Sequence, residues 1–244
     1  MRPARASPGG TGVATPVITR PGTGWAVPPE AGARIAAEEP MTDPLERYRR
    51  KRNFSDTPEP EGDTEASSGP PRFVIQEHDA SSHHWDFRLE VDGVLRSWAV
   101  PKGPSTDPSE KRLALPTEDH PLDYGDFEGV IPEGYGAGTV LVWDAGTYRN
   151  LKEEGTGEDE DGEPPSVAEQ LEEGHATVWL EGEKLSGGYA LQRVASGEDE
   201  RWLLVKMDDE EADARRKPTS TEPRSVKTGR TLEEVAEEGA EEDA

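Results

Sequence analysis

From residue 72 to residue 207 the chain alternates apolar and polar positions in short runs. Side chains on a strand point to opposite faces with a period of two. The runs at 72–77, 84–91, 94–100, 111–115, 138–143, 147–151, 175–181, 187–195 and 201–207 therefore predict short strands. Asp92-Gly93 predicts a two-residue hairpin between the second and third, and Gly197 a turn between the last two. Ser166-Val167-Ala168-Glu169 has the form of a capping box that opens a short helix, with Gly174 ending it. Many short strands separated by turn residues predict a mainly β fold. The expected architecture is a small closed or nearly closed β-barrel with short flanking helices and disordered tails.

The barrel is expected over 72–208. Residues 1–40, rich in Gly, Pro, Ala and Arg, show no apolar periodicity and predict a disordered, possibly untranslated extension ahead of Met41. Residues 41–71 divide into a basic helix at 43–52, an extended arm at 53–60 and an acidic Ser/Gly/Pro linker. The loop 152–165 is acidic. The segment 209–244 predicts an acidic disordered tail, although Thr231-Leu232-Glu233-Glu234 repeats the capping-box pattern.

Composition narrows the chemistry. With no cysteine, a disulfide or thiolate site is excluded and any metal must be held by nitrogen and oxygen. No apolar run is long enough to span a membrane and the first residues lack a signal-peptide core, which predicts a cytoplasmic protein. The net charge is −25, and residues 72–149 alone carry fourteen acidic against seven basic side chains. Acidity that extends into the folded part suits a halophilic protein, whose surface works in high salt.

Against this background the second predicted strand stands out. His84, Asp86 and Arg88 occupy one face; Trp85, Phe87 and Leu89 occupy the other. His78 lies six residues upstream of His84. Two imidazoles and a carboxylate suit a divalent transition metal with open positions. Arg88 adds a planar fork matched to phosphate oxygens. His83, adjacent to His84, falls on the opposite face by strand parity and is set aside. A second set follows: Lys102 in a Pro-flanked turn, Arg112 at the start of a strand, and His120 four residues before Tyr124. Cations kept in an acidic domain point to an anion. The same ligand set also fits the facial triad of a non-haem iron oxygenase, but the basic surroundings count against an organic-acid pocket.

The runs Gln76–Glu90, Trp98–Ser105, Glu118–Tyr124, Phe127–Pro132 and Gly138–Asp144 resemble the 3′-phosphoesterase domain of bacterial DNA ligase D and its stand-alone relatives. So do the arm Tyr48–Phe54 with Thr57–Pro60 and the segment 223–234. The resemblance runs from about Met41 to Glu238. It implies a β-barrel enzyme, dependent on a divalent metal such as Mn²⁺, that trims DNA 3′ ends during end joining. It would remove a terminal ribonucleoside and then the remaining 3′-phosphate. By position the resemblance implies His78, His84 and Asp86 as metal ligands. It implies Arg88, Lys102, Arg112, His120 and Tyr124 as phosphate-handling and catalytic groups, and Arg52, Asn53, Glu59, Gln76 and Glu118 as supporting or arm positions. Asn53 stands where the family usually has aspartate, and the glycine-tyrosine loop at 132–138 is one residue shorter than usual. The implied partners are primer-template 3′ ends. No Lys-x-Asp-Gly nucleotidyl-transfer motif occurs in the chain, so a separate ligase or polymerase is expected as partner. The competing expectation is a DNA-end-binding module without catalysis.

Overall fold

The computed structural model describes residues 43–62, 69–132, 134–155 and 164–242. The expected extension at 1–40 and most of the acidic loop at 152–165 lie outside them. Strands β1 (Arg72–Asp79), β2 (His84–Val91), β3 (Val94–Val100) and β4 (Lys111–Pro116) are followed by β5 (Gly129–Ile131) and β6 (Gly138–Asn150). Then come β7 (His175–Gly182), β8 (Ser186–Ala195) and β9 (Arg201–Lys206). The sheet runs β1-β2-β3-β4-β9-β8-β7-β6, and β6 pairs back with β1. Eight antiparallel strands thus close a barrel, with β5 added along β6. Closure leaves the ring without a free edge.

Asp92 and Gly93 both have positive φ, 50° and 79°, as a tight hairpin with the right-handed strand twist requires. The two strands expected at 138–143 and 147–151 are one continuous strand, β6. Ile75 pairs with Asp144 while Gln76 pairs with Val142, so Trp143 is a bulged extra residue that bends β6 without ending it. Gly146 lies inside this strand and lets it approach β7 closely. A Cβ there would lie 2.1 Å from the Glu181 carbonyl oxygen on β7.

Phe73, Ile75, Trp85, Phe87, Leu89, Trp98, Val100 and Ala114 point inward with Trp143, Leu180, Tyr189, Trp202 and Leu204, and form the main core. A smaller apolar cluster of Tyr48, Val74, Leu95, Tyr124 and Val142 covers the outer face of the β1–β3 wall. It joins helix α1 (Glu46–Arg50) and a 3-10 helix at Leu122–Asp126 to the sheet. This second layer buries the polar face of β2, so seven of its eight residues are buried although it alternates.

Helix α2 (Leu151–Gly155) follows β6, and α3 (Val167–Glu173) has both hydrogen bonds of the expected capping box and a left-handed Gly174 at its end. Beyond β9 the expected disordered tail is a correction: residues 209–242 have defined backbone. They contain α4 (Pro218–Thr221) and α5 (Leu232–Glu242). Glu128 fixes this segment, accepting from Ser225 Oγ at 2.5 Å, from Thr228 Oγ1 and from Arg230 Nη2 at 2.9 Å. Trp143 Nε1 and Lys184 Nζ donate to the Glu222 carbonyl at 2.9 and 2.8 Å. Tertiary partners, rather than local propensity, hold an acidic segment that reads as disordered. No helix among the described residues is long and apolar enough to cross a membrane.

Candidate active site

β1 and β2 are antiparallel in a register that pairs His78 with His84 and Gln76 with Asp86. Paired residues share a face, so these four side chains stand together on the outer wall. The ligand atoms of His78, His84 and Asp86 lie within 4.8 Å of one another. Asp86 Oδ2 is 3.7 Å from His78 Nδ1, and Oδ1 is 3.7 Å from His84 Nε2. His84 Nδ1 lies 2.7 Å from the Ser82 carbonyl, so it carries the proton and Nε2 keeps its lone pair. Nε2 of His78 is buried without a hydrogen-bond partner. Orphaned or lone-pair nitrogens beside an ionised carboxylate fit a divalent cation with several open positions. Burial opposes the charge of Asp86, but Arg88 and the two imidazoles outweigh it and hold the carboxyl below its usual range.

Arg88 ties the site together. Its Nε donates to Gln76 Oε1 (2.7 Å), Nη1 to Ser97 Oγ (2.9 Å) and Nη2 to Asp86 Oδ2 (3.0 Å). Gln76 in turn donates to the Tyr124 and Phe127 carbonyls at 3.0 and 2.9 Å, fixing the 3-10 helix to β1. His120 Nδ1 lies 2.8 Å from both Arg88 Nη1 and the Glu118 carbonyl. On the other side of the ring Nε2 is 3.5 Å from Arg52 Nη2. Burial first, and then the two guanidiniums, push the His120 pKa well below its ordinary value, so the ring is neutral. The Glu118 carbonyl can only accept and the Arg52 guanidinium can only donate, so the ring proton sits on Nδ1 and Nε2 keeps its lone pair toward Arg52. Tyr124 packs its ring 4.6 Å from His120 and 4.9 Å from the Arg88 guanidinium, and burial pushes its pKa up.

Arg52 comes from the arm and enters the site with a side chain only 4% exposed. Its Nε donates to Glu59 (2.8 Å) and its Nη1 to Glu118 (3.1 Å). The arm is therefore part of the wall of the site instead of a segment outside the barrel. Asn53 stays exposed and donates to Asp56 at 2.5 Å. These groups surround a cavity of about 350 Å³ lined by Arg52, His78, His84, Asp86, Arg88, Glu118, His120, Tyr124 and the 134–137 loop.

Lys102 and Arg112 do not line it. Lys102 is exposed in the turn after β3. On β4, Arg112 shares its face with the core residue Ala114, on the other side of the wall from the metal ligands, and pairs with Glu110 at 2.5 Å. Strand parity decides this once β4 joins the sheet; the basic character of the residue alone does not. His83 follows its expected parity and meets Glu77 at 2.9 Å. Sequence reasoning missed Ser97, which pairs with Arg88 across β2 and β3. It also missed Lys51 and Tyr135, both hydrogen-bonded to Glu118, at 2.8 and 3.2 Å. Lys51 was visible only as one cation in a basic run, and Tyr135 only as the tip of a glycine-flanked loop.

Residues 76–193 match the model of the DNA ligase D 3′-phosphoesterase domain. The multifunctional non-homologous end joining protein LigD of Pseudomonas aeruginosa is 49% identical over 199 residues, 79% of this chain and 22% of that protein. The multifunctional non-homologous end joining DNA repair protein LigD of Mycobacterium tuberculosis is 45% identical over 176 residues, 71% of this chain and 21% of that protein. The LigD of Mycolicibacterium smegmatis is 41% identical over 185 residues. The chain spans about a fifth of the length of these relatives. These matches place the chain in the DNA ligase D 3′-phosphoesterase domain family.

Proposed function

We propose that this protein is a metal-dependent phosphoesterase that repairs DNA 3′ ends. It removes a terminal ribonucleoside by phosphodiester cleavage and then hydrolyses the 3′-phosphate, leaving a ligatable 3′-hydroxyl. The observation that carries this reading is the convergence of His78, His84 and Asp86 with Arg88 and His120 in one cavity. A divalent metal, Mn²⁺ in this reading, would be held by the first three and would supply Lewis-acid charge to a phosphoryl oxygen. Arg88, already aimed by Gln76, Ser97 and Asp86, orients the remaining phosphate oxygens. Neutral His120 stands beside this fork, and Arg52 offers a second fork from the arm. Tyr124 packs behind both and keeps them in place. Lys102 and Arg112 have no contact role in this arrangement.

The reading places the protein in the cytoplasm, with primer-template 3′ ends as its DNA partner and a ligase or polymerase activity completing the repair. Its acidic surface suits work at high salt. The facial-triad alternative loses ground because two guanidiniums, Arg88 and Arg52, border the cavity where an oxygenase would need room for an organic acid.

The test is a gel assay on two labelled primers, one ending in a 3′-phosphate and one in a single 3′ ribonucleotide, with manganese and with chelator. Manganese-dependent conversion of both to a 3′-hydroxyl is the expected result. A protein that binds these ends but converts neither would instead be an end-binding module.

A further inference from the structure

Among the described residues, Tyr135 is the only aromatic among the large hydrophobic side chains left exposed, at 49%. It does not stand at random on the surface. It lines the catalytic cavity and also a second cavity, of about 520 Å³, shared with Arg52, Asn53, Asp56, Thr57 and Glu59. The ring is held at its edge and on one face. Its hydroxyl donates to Glu118 Oε2 at 3.2 Å, and Lys51 Nζ lies 3.9 Å from the ring centroid. Gly134 and Gly136 flank it with φ of 98° and 84°, and a Cβ on either would meet nothing within 4 Å. The glycines are therefore needed for a left-handed backbone that carries the ring, not for close packing.

A cation-backed, edge-anchored aromatic ring between two cavities has the form of a stacking platform. Every nucleobase has a π-face, so such a platform accepts any base. The chemistry of the second cavity selects which base. Asp56, exposed on its wall, can accept from a sugar hydroxyl, while Glu59 is taken up by Arg52 and Thr57. The ribonucleoside on the far side of the scissile phosphate carries no further phosphate and offers both a 2′- and a 3′-hydroxyl.

We propose that Tyr135 stacks on the base of the departing 3′-terminal ribonucleoside, whose ribose occupies the cavity between the arm and the glycine-tyrosine loop. This rests on the phosphoesterase reading above. It makes Tyr135 a binding residue for the diester substrate and leaves the 3′-phosphate, which lacks that nucleoside, with no use for the ring.

Two readouts test it on the full chain. In the first, steady-state cleavage with manganese is measured for wild type, Tyr135→Ala, Tyr135→Phe and Tyr135→Trp. KM for a primer ending in one ribonucleotide should rise about tenfold in the alanine variant, the loss expected for one base–aromatic stack. Phenylalanine and tryptophan should restore most of it. Hydrolysis of a 3′-phosphate should change at most about threefold. In the second, metal is removed with chelator and the terminal ribonucleoside is 2-aminopurine riboside, whose fluorescence is quenched by stacking. Wild type should quench it and Tyr135→Ala should not. Equal quenching by wild type and Tyr135→Ala, or equal losses on both substrates, would overturn the proposal. Ring-dependent quenching by a protein that cleaves neither primer would overturn the phosphoesterase reading and keep the stack.

Discussion

Two buried glutamates, Glu118 and Glu128, each fasten a flanking segment to the barrel wall, and they do it with different chemistry. Glu118 gathers Lys51 and Arg52 of the arm and Tyr135 of the glycine-tyrosine loop. Glu128 gathers two hydroxyls, the Arg230 guanidinium and the Val142 backbone N–H. Burial pushes both carboxyls up, but these donors outweigh it and hold both below their ordinary range. Of the groups at Glu118, Arg52 and Tyr135 also border the candidate cavity, whereas no partner of Glu128 does. A buried carboxylate that collects cations beside a cavity organises a site; one that collects hydroxyls and backbone away from it fixes chain topology. The difference predicts separable effects.

Among changes at the two staples, Arg52→Ala carries the largest expected effect. It removes one guanidinium from the cavity and leaves Glu59 and Glu118 without their shared partner. Ribonucleoside removal should fall about 100-fold, and 3′-phosphate hydrolysis should fall less, because the arm positions the extra sugar and base. Equal losses on the two primers in parallel kinetics would remove the arm from substrate positioning.

Glu128→Ala should do the reverse. Leaving Ser225, Thr228, Arg230 and the Val142 N–H without their acceptor should cost about 3 kcal/mol of stability. Urea melts should show that loss, while kcat per folded molecule stays close to wild type. A variant that keeps its stability and loses catalysis would erase the contrast between the two staples.

Asp144 supplies a third case. Its carboxylate accepts from the backbone N–H groups of Glu183, Lys184 and Leu185 at 3.0, 3.0 and 2.8 Å. Burial dominates, only partly offset by those bonds, and pushes its pKa up to about 6. The folded state then holds the proton longer than the unfolded chain. The stability this gives is present below about pH 4 and is lost as pH rises through about 6, an effect of about 3 kcal/mol. A carboxyl titration followed by carbon NMR should find the Asp144 midpoint near 6; a midpoint at or below the ordinary aspartate value would show that the backbone donors match or outweigh burial.

Salt should produce the smallest effect. The Arg52–Glu59 pair has side chains 4% and 1% exposed and is weakly screened, whereas Arg149–Glu181 is nearly half exposed and contributes little at any ionic strength. Screening of the net −25 charge should then dominate. The melting temperature should rise by a few degrees toward molar salt, with activity retained. A steep fall of activity with salt would mean that phosphate contacts govern binding instead.

Most of the barrel was legible because its evidence is local: alternation marks strands, and Asp92-Gly93 and Ser166–Glu169 mark their own turns and caps. The grouping of His78, His84 and Asp86 was legible for the same reason, since His84 and Asp86 share a strand face and His78 lies on the neighbouring strand. What was not legible depends on distant partners. Glu128 and Ser225 meet across 97 positions, so the ordered tail could not be read from its acidic composition. Arg112 shares the Ala114 face of β4, which only the pairing of β4 with β9 reveals. β5 has three residues, too few to show a period. Lys51 and Tyr135 acquire meaning only when Glu118 brings the arm and the loop to one point.

The central claim is that His78, His84 and Asp86 hold the metal on which both end reactions depend. The most direct measurement pairs manganese binding, followed by electron paramagnetic resonance, with product analysis of a labelled primer bearing one 3′ ribonucleotide. His84→Ala should release manganese and yield neither the 3′-phosphate nor the 3′-hydroxyl, while remaining folded. A His84→Ala protein that retains manganese, or that makes the 3′-hydroxyl at nearly the wild-type rate, would contradict the account.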